Sequence, residues 1–231
     1  MSTKQPFLFI ALDGLARNEE ETLAIAEKLS EVEGNFGFKF NLDYILLKGL
    51  QGATEKLSRF NRPLFADTKT WNGSRTMAGI VGMAVDLGLD YINVWAQADR
   101  EIEKAAEIAA SSKTTLLGLT VLSHYDNKYC EEYFDMFLED TVRMLFDSAE
   151  ENGCKGVILP GTCLKAVSNR QSLLKVATGI RPTWYQDSRH EQETEPREAI
   201  EAGADIIICG SPIMKSADPA LALQQILEEM L

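Results

Sequence analysis

"PLFADTKTWN", residues 63–72, opens on a proline, runs through Leu64, Phe65 and Ala66, and ends in Asp67, Lys69 and Asn72. The apolar run reads as a buried strand, and its polar end reads as the point where that strand leaves the core. Residues two apart on a strand share one face, so Asp67 and Lys69 are expected to point the same way. Turned inward, they would meet at the mouth of a barrel. A structural ion pair closing the barrel top explains the same spacing, and the pair alone does not separate the two readings.

The surrounding chain repeats this pattern in kind. Short apolar runs recur at 6–13 (PFLFIALD), 37–41, 63–69, 91–96, 114–122, 156–160, 173–179 and 205–210. Helical spacing separates them over 18–33, about 48–59, 74–87, 99–111, 130–151, 164–171, 195–202 and 217–230. Asn18 and Glu21 resemble a capping box at the first of these helices. Eight strand–helix pairs in order, with strands apolar on both faces, predict a single-domain α/β fold, a (β/α)8 TIM barrel over residues 1–231. A doubly wound open sheet is the alternative, but no GxGxxG follows an early strand and no GxxxxGK[ST] loop occurs.

Composition narrows the partners. The chain has 231 residues, 45% of them apolar, enough for one sizeable core, and no Pro/Gly/Ser-rich linker divides it. A formal net charge of −12 argues against nonspecific binding to nucleic acid or to an anionic membrane. It leaves room for a local site for an anionic metabolite. No apolar run reaches transmembrane length, and MSTKQPFLFIALDG lacks the long apolar core of a signal peptide. The cysteines, Cys130, Cys154, Cys163 and Cys209, form no CxxC pair. With two histidines in the chain, structural zinc is not expected, and reduced buried thiols in a cytoplasmic protein are.

In a barrel of this kind the C-terminal strand ends form the active face. They bring Asp13, Lys39 with Asn41, Asp67 with Lys69, Asn93, Thr120 with Ser123, and Gly179 with Arg181 to one rim. Two acids and two lysines from three strands would nearly neutralise one another, which keeps the carboxylates ionised and the lysines protonated. GSPIMKSADP (210–219) follows the last strand, and TGIRP (178–182) the one before it. Gly210 permits close backbone approach there, and barrels often hold phosphate near strands seven and eight.

These segments together resemble the orotidine 5′-monophosphate decarboxylase family. That family's D-x-K-x-x-D appears here as DTKTWN, its first-strand LD as Leu12–Asp13, and its strand-two lysine as Lys39. LTVLSH (119–124) is similar to the segment with a pyrimidine-contacting serine, which falls on Ser123. ATGIRP and EPREAIEAGADIIICGSPI resemble the family's PGIRP and TPxxAIxxGADxIVVGRPI segments, so the match spans nearly the whole chain. The resemblance implies decarboxylation of a phosphorylated ribosyl pyrimidine with no metal or other cofactor, in a homodimer with active sites near the interface. It implies that Asp13 and Lys39 order the ribose hydroxyls, that Asp67 lies by the leaving carboxylate, and that Lys69 protonates the carbanion. Thr76 matches a threonine that reaches across the dimer. Gln186 matches the phosphate-loop glutamine, beside Gly179, Arg181, Gly210 and Ser211.

Two positions depart from that pattern. Asn72 stands where the family has a third acid, supplied across the dimer, and Ser211 stands where an arginine clamps phosphate. Asparagine hydrogen-bonds but cannot neutralise a lysine, and serine lacks the bidentate charged grip of arginine. Trp71 and Gly73 also alter the helix start. Arg181, Arg189 or Lys215 could supply the missing phosphate charge. Two other readings stay open: a sugar-phosphate lyase of the same superfamily, and an inactive nucleotide-binding homologue. The former carries an acid at the position of Lys39 and uses magnesium, for which lysine is a poor ligand.

Overall fold

The computed structural model describes residues 5–185 and 193–231. Eight parallel strands close into a barrel in sequence order: β1 (Phe7–Ala11), β2 (Phe36–Asn41), β3 (Leu64–Thr70), β4 (Tyr91–Trp95), β5 (Thr115–Leu119), β6 (Gly156–Pro160), β7 (Leu174–Thr178) and β8 (Ile206–Cys209). The barrel expected from the strand count is the observed fold. Its outer layer comprises α1 (Glu19–Ser30), α2 (Leu42–Ser58), α3 (Ser74–Asp86), α4 (Glu103–Ala110), α5 (Asn127–Phe134), α6 (Leu138–Glu151), α7 (Pro196–Glu201), α8 (Ser211–Met214) and α9 (Pro219–Glu229). Among the described residues no helix is long and apolar enough to cross a membrane.

Both faces of each strand are buried, which is why the strands read as near-continuous apolar runs. Outward residues such as Ile10, Phe38, Ala66 and Ile92 pack under the helices. Inward residues Phe9, Phe65, Leu117, Val176 and Ile206 fill the barrel. Phe9 meets Phe65 and Tyr91 edge-on, with ring centroids 5.4 and 5.0 Å away. Edge-to-face contacts of this kind favour a fixed, dry plug. The inward positions one step further along β2, β3 and β4 are Lys39, Asp67 and Asn93, so a polar layer rests directly on an aromatic floor.

Helix boundaries depart from the sequence expectations where side chains intervene. The single helix expected over 130–151 is two, because Asp135 adopts a left-handed conformation (φ 56°) that aspartate tolerates. Asn127 then accepts from the Leu138 N–H at 2.9 Å and fixes the start of α6. The helix expected from 99 begins as a 3-10 turn, Ala96–Ile102, and the one expected near 164–171 is a 3-10 turn at Gly161–Val167. The helix expected from 48 starts at Leu42 and is interrupted at Gly49, whose φ is 73°. The capping box expected at Asn18 and Glu21 does not form: the two side chains bond each other, and Asn18 caps no backbone N–H.

Gly37 shows how tightly the floor is built. A Cβ there would lie 2.4 Å from the Pro63 carbonyl oxygen and 2.8 Å from Phe9 Cε1. The Pro63 carbonyl is itself engaged by the Phe38 N–H at 2.9 Å, so the backbone cannot give way freely. Gly37→Ala is expected to destabilise the fold by about 1–3 kcal/mol through overpacking. Thermal unfolding checks this, and an unchanged Tm would show that the floor can relax.

Candidate active site

Three neighbouring strands deliver the charged centre. Leu12 extends β1 by donating its N–H to the Lys39 carbonyl at 2.9 Å, which sets Asp13 on the rim. On β2, phenylalanines at 36, 38 and 40 face the helices and leave Lys39 and Asn41 facing inward. Register pairs Asn41 with Asp67 across β2 and β3. Lys39 Nζ therefore lies 2.7 Å from Asp67 Oδ2, and Lys69 Nζ lies 2.6 Å from the same oxygen. Asn41 donates to Asp13 Oδ1 at 2.8 Å and accepts from Lys39, joining the fourth charged group to the other three.

Asp67 and Lys69 do meet, but not through plain strand alternation. The β3–β4 register jumps from Ala66↔Ile92 to Thr70↔Val94, and Lys69 takes a left-handed φ of 46°. That conformation costs a residue with a Cβ about 1–2 kcal/mol. Asn93 holds the bulge. Its Oδ1 accepts from the Lys69 N–H at 2.8 Å, its Nδ2 donates to Asp67 Oδ1 at 2.7 Å, and its main-chain carbonyl accepts from Thr68 Oγ1 at 2.6 Å. The sequence placed Asn93 on the rim but assigned it no task; its only advance signal was an amide inside an otherwise apolar strand.

Burial would push the Asp67 carboxyl up, but the Lys39 and Lys69 ammoniums more than reverse this and hold it well below the usual carboxylate range. Burial lowers the Lys69 ammonium, against the opposing pull of Asp67, and Lys39 adds to the lowering. An ionised acid thus faces an ammonium that releases its proton more readily than an exposed lysine does.

These groups line one side of a cavity of about 240 Å³. Ala11, Leu119, Ile158 and Ile208 give it an apolar wall, and Ser123 stands on its rim. Gly179, Arg181, Gly210 and Ser211 line the far side. A Cβ on Gly210 would sit 3.0 Å from Asp13 Oδ2 and 3.1 Å from the Ala11 Cβ, so glycine lets β8 close against β1. Arg181 is 9% exposed; it donates through Nη1 to the Ile180 carbonyl at 2.8 Å. Its Nε has no hydrogen-bond partner among the described residues, with Glu193 Oε1 4.0 Å away.

Not every expected residue joins the cavity. Asn72 and Thr76 are exposed and line none of it. Asn72 Oδ1 accepts from the Gly73 N–H at 2.8 Å, and Thr76 lies in the first turn of α3. Thr120, expected on the rim, is fully buried and donates to the Ile158 carbonyl at 2.8 Å, so it ties strands together. Gln186 and Arg189 fall outside the described residues. Among the described residues no group of three or more His, Cys, Asp or Glu side chains is placed to hold a metal ion.

The profile of the family described as "Orotidine 5'-phosphate decarboxylase / HUMPS" matches residues 6–226. The chain belongs to this family. Within it, the orotidine 5'-phosphate decarboxylase of Paramagnetospirillum magneticum is 30% identical over 235 residues, spanning 96% of this chain and 97% of that protein. The enzyme of the same name from Jannaschia sp. is 31% identical over 229 residues, with 96% and 97% coverage. A crystal structure of orotidine 5'-phosphate decarboxylase from Lactobacillus acidophilus is similar in fold, with a TM-score of 0.79, 24% identity, and 98% and 99% coverage.

For this family member, the lowered pKa of Asp67 has a consequence for stability. A carboxyl held below its ordinary value contributes stability that is fully present above the unfolded value of about 3.9. That contribution is withdrawn as pH falls through the lower folded value. Asp67→Asn cannot titrate, so its deficit relative to wild type should be largest near neutral pH and should shrink in acid. Urea unfolding of both proteins over that range tests this. A deficit independent of pH would mean that Asp67 gains nothing from its two lysines.

Proposed function

We propose that this chain is a lyase of pyrimidine biosynthesis that decarboxylates orotidine 5′-monophosphate without a metal or other cofactor. The observation that carries the reading is the buried Asp67 carboxylate, kept ionised by Lys39 and Lys69 at the edge of an apolar-walled cavity. The substrate carboxylate would lie against Asp67. Breaking its bond to pyrimidine C6 releases carbon dioxide and leaves the electron pair on C6, where Lys69 delivers a proton. Fixed charges that oppose the starting carboxylate and favour the carbanion act differentially on the transition state.

The remaining roles follow the cavity from end to end. Asp13 and Lys39 order the ribose hydroxyls, and Ser123 contacts the pyrimidine. Gly179, Arg181, Gly210 and Ser211 receive the phosphate, with Gln186. Arg181 supplies the cation that Ser211 cannot, since its guanidinium is buried, lines the cavity and keeps one donor without a hydrogen-bond partner among the described residues. The sugar-phosphate lyase reading is less favoured, because the ammonium of Lys39 occupies the Asp67 oxygen that a hard cation would need. The whole chain, 1–231, acts as one catalytic barrel in the cytoplasm.

Loss of orotidylate absorbance, followed in excess EDTA, tests the assignment directly. Lys69→Ala should lower kcat by about 10²–10⁴-fold, the range for a positioned proton donor. Arg181→Ala should act mainly through KM, as loss of a phosphate contact does. Wild-type turnover no faster than buffer, with uridine 5′-monophosphate still bound, would instead identify a non-catalytic binding homologue.

The same reading includes a homodimer in which Asn72 and Thr76 reach the partner's cavity. Leu46, Leu47 and Trp71 are 78%, 58% and 59% exposed on segments that leave the adjacent ends of β2 and β3. Exposed apolar side chains mark an interface where they form one contiguous patch, which the homodimer reading requires of these three. Sedimentation should give about twice the 25.7 kDa chain mass. A fully active monomer would remove any cross-subunit role for Asn72 and Thr76.

A further inference from the structure

Asn93 is wholly buried on β4, and it is the single residue of that strand whose side chain meets the charged centre. Its two amide ends do different jobs. Nδ2 donates to Asp67 Oδ1, the oxygen that neither lysine touches, while Lys39 and Lys69 both take Oδ2. Oδ1 accepts from the backbone N–H of Lys69, at the left-handed residue that carries β3 through its register jump. The Asn93 carbonyl receives Thr68 Oγ1, so residues 67, 68 and 69 are all tied to one point on β4. The Tyr91 ring, two residues back on the same inward face, packs against Phe9 and Phe65 in the floor below.

We propose that Asn93 is the positioning residue of this site: its amide sets where the Lys69 ammonium sits relative to the Asp67 carboxylate, and does so without adding charge. The inference rests on the reading of Lys69 and Asp67 as proton donor and electrostatic partner. A neutral amide is suited to the task because it offers a donor and an acceptor at once. A carboxylate at 93 would keep the acceptor for Lys69 and turn the other end against Asp67. An ammonium would add a third cation. An alanine would free both the bulge and the second oxygen of Asp67. Misplacing Lys69 by about 1 Å is enough to cost turnover about 10²-fold.

Two variants divide the roles. Asn93→Ala should lower kcat about 10²-fold with KM for orotidylate little changed. Asn93→Asp, which is nearly isosteric and covers the case in which alanine does not fold, keeps the contact to Lys69 and loses the one to Asp67. In both, loss of the Nδ2 donor should move the Asp67-dependent limb of the pH–rate profile to higher pH, and further in Asn93→Asp because of like-charge repulsion. Carbon NMR of the Asp67 carboxyl should show the same upward movement, whatever the substrate proves to be. Wild type inactive on orotidylate would reject the proposed function and leave the NMR titration to decide the role of Asn93. Variants that lose thermal stability but keep the wild-type Asp67 titration would overturn the inference, since a packing residue would behave in that way.

Discussion

The site depends on one carboxylate placed where little water reaches it. Asp67 is 6% exposed, and an ion in that position loses several kcal/mol of solvation that its neighbours must return. Lys39, itself 6% exposed, returns part of it from β2, and Lys69 returns part from β3. Asn93 satisfies the remaining oxygen from β4. Three consecutive strands are thus held in one relation by a single acid. The aromatic floor under it has the complementary task of excluding water from below, so the charges act across a low-dielectric gap.

An arrangement of this kind is built before any substrate arrives, and its cost is met by the fold. The left-handed Lys69 illustrates the exchange. Its backbone strain is small against the contacts it permits: one hydrogen bond to Asn93 and an ammonium brought onto a buried carboxylate. Strain of this sort persists only where the surroundings over-determine it, and here they include the packed Tyr91 ring and the β3–β4 register jump. Burial also lowers the affinity of Lys69 for its proton, so the geometry that holds the strain also shifts the titration of this ammonium.

The barrel was legible because its strands are buried on both faces and its helices are not, a contrast that survives in a linear sequence. Asp13, Lys39, Asp67 and Lys69 were legible as strand-end charges. The β3 bulge was not, because the spacing of Asp67 and Lys69 fits a regular strand equally well and nothing in DTK announces a left-handed lysine. The role of Asn93 was hidden for the same reason, since its partners are set by the bulge. Thr120 misled because a hydroxyl at a strand end can serve the rim or the ladder, and here it bonds the Ile158 carbonyl. The break between α5 and α6 turned on one aspartate entering the left-handed region, which helical periodicity does not report.

The two departures from the family pattern, Asn72 and Ser211, offset each other in charge: against that pattern one removes an anion and the other a cation. Within one chain the cavity-lining charges are then Asp13 and Asp67 against Lys39, Lys69 and Arg181, a formal excess of one positive charge. Since Asn72 is exposed and lies outside its own cavity, that balance is complete without it. The amide at 72 therefore leaves the Lys39–Asp67–Lys69 centre of the single barrel as it is. Ser211 lines the cavity and Asn72 does not, so the two departures can be altered separately.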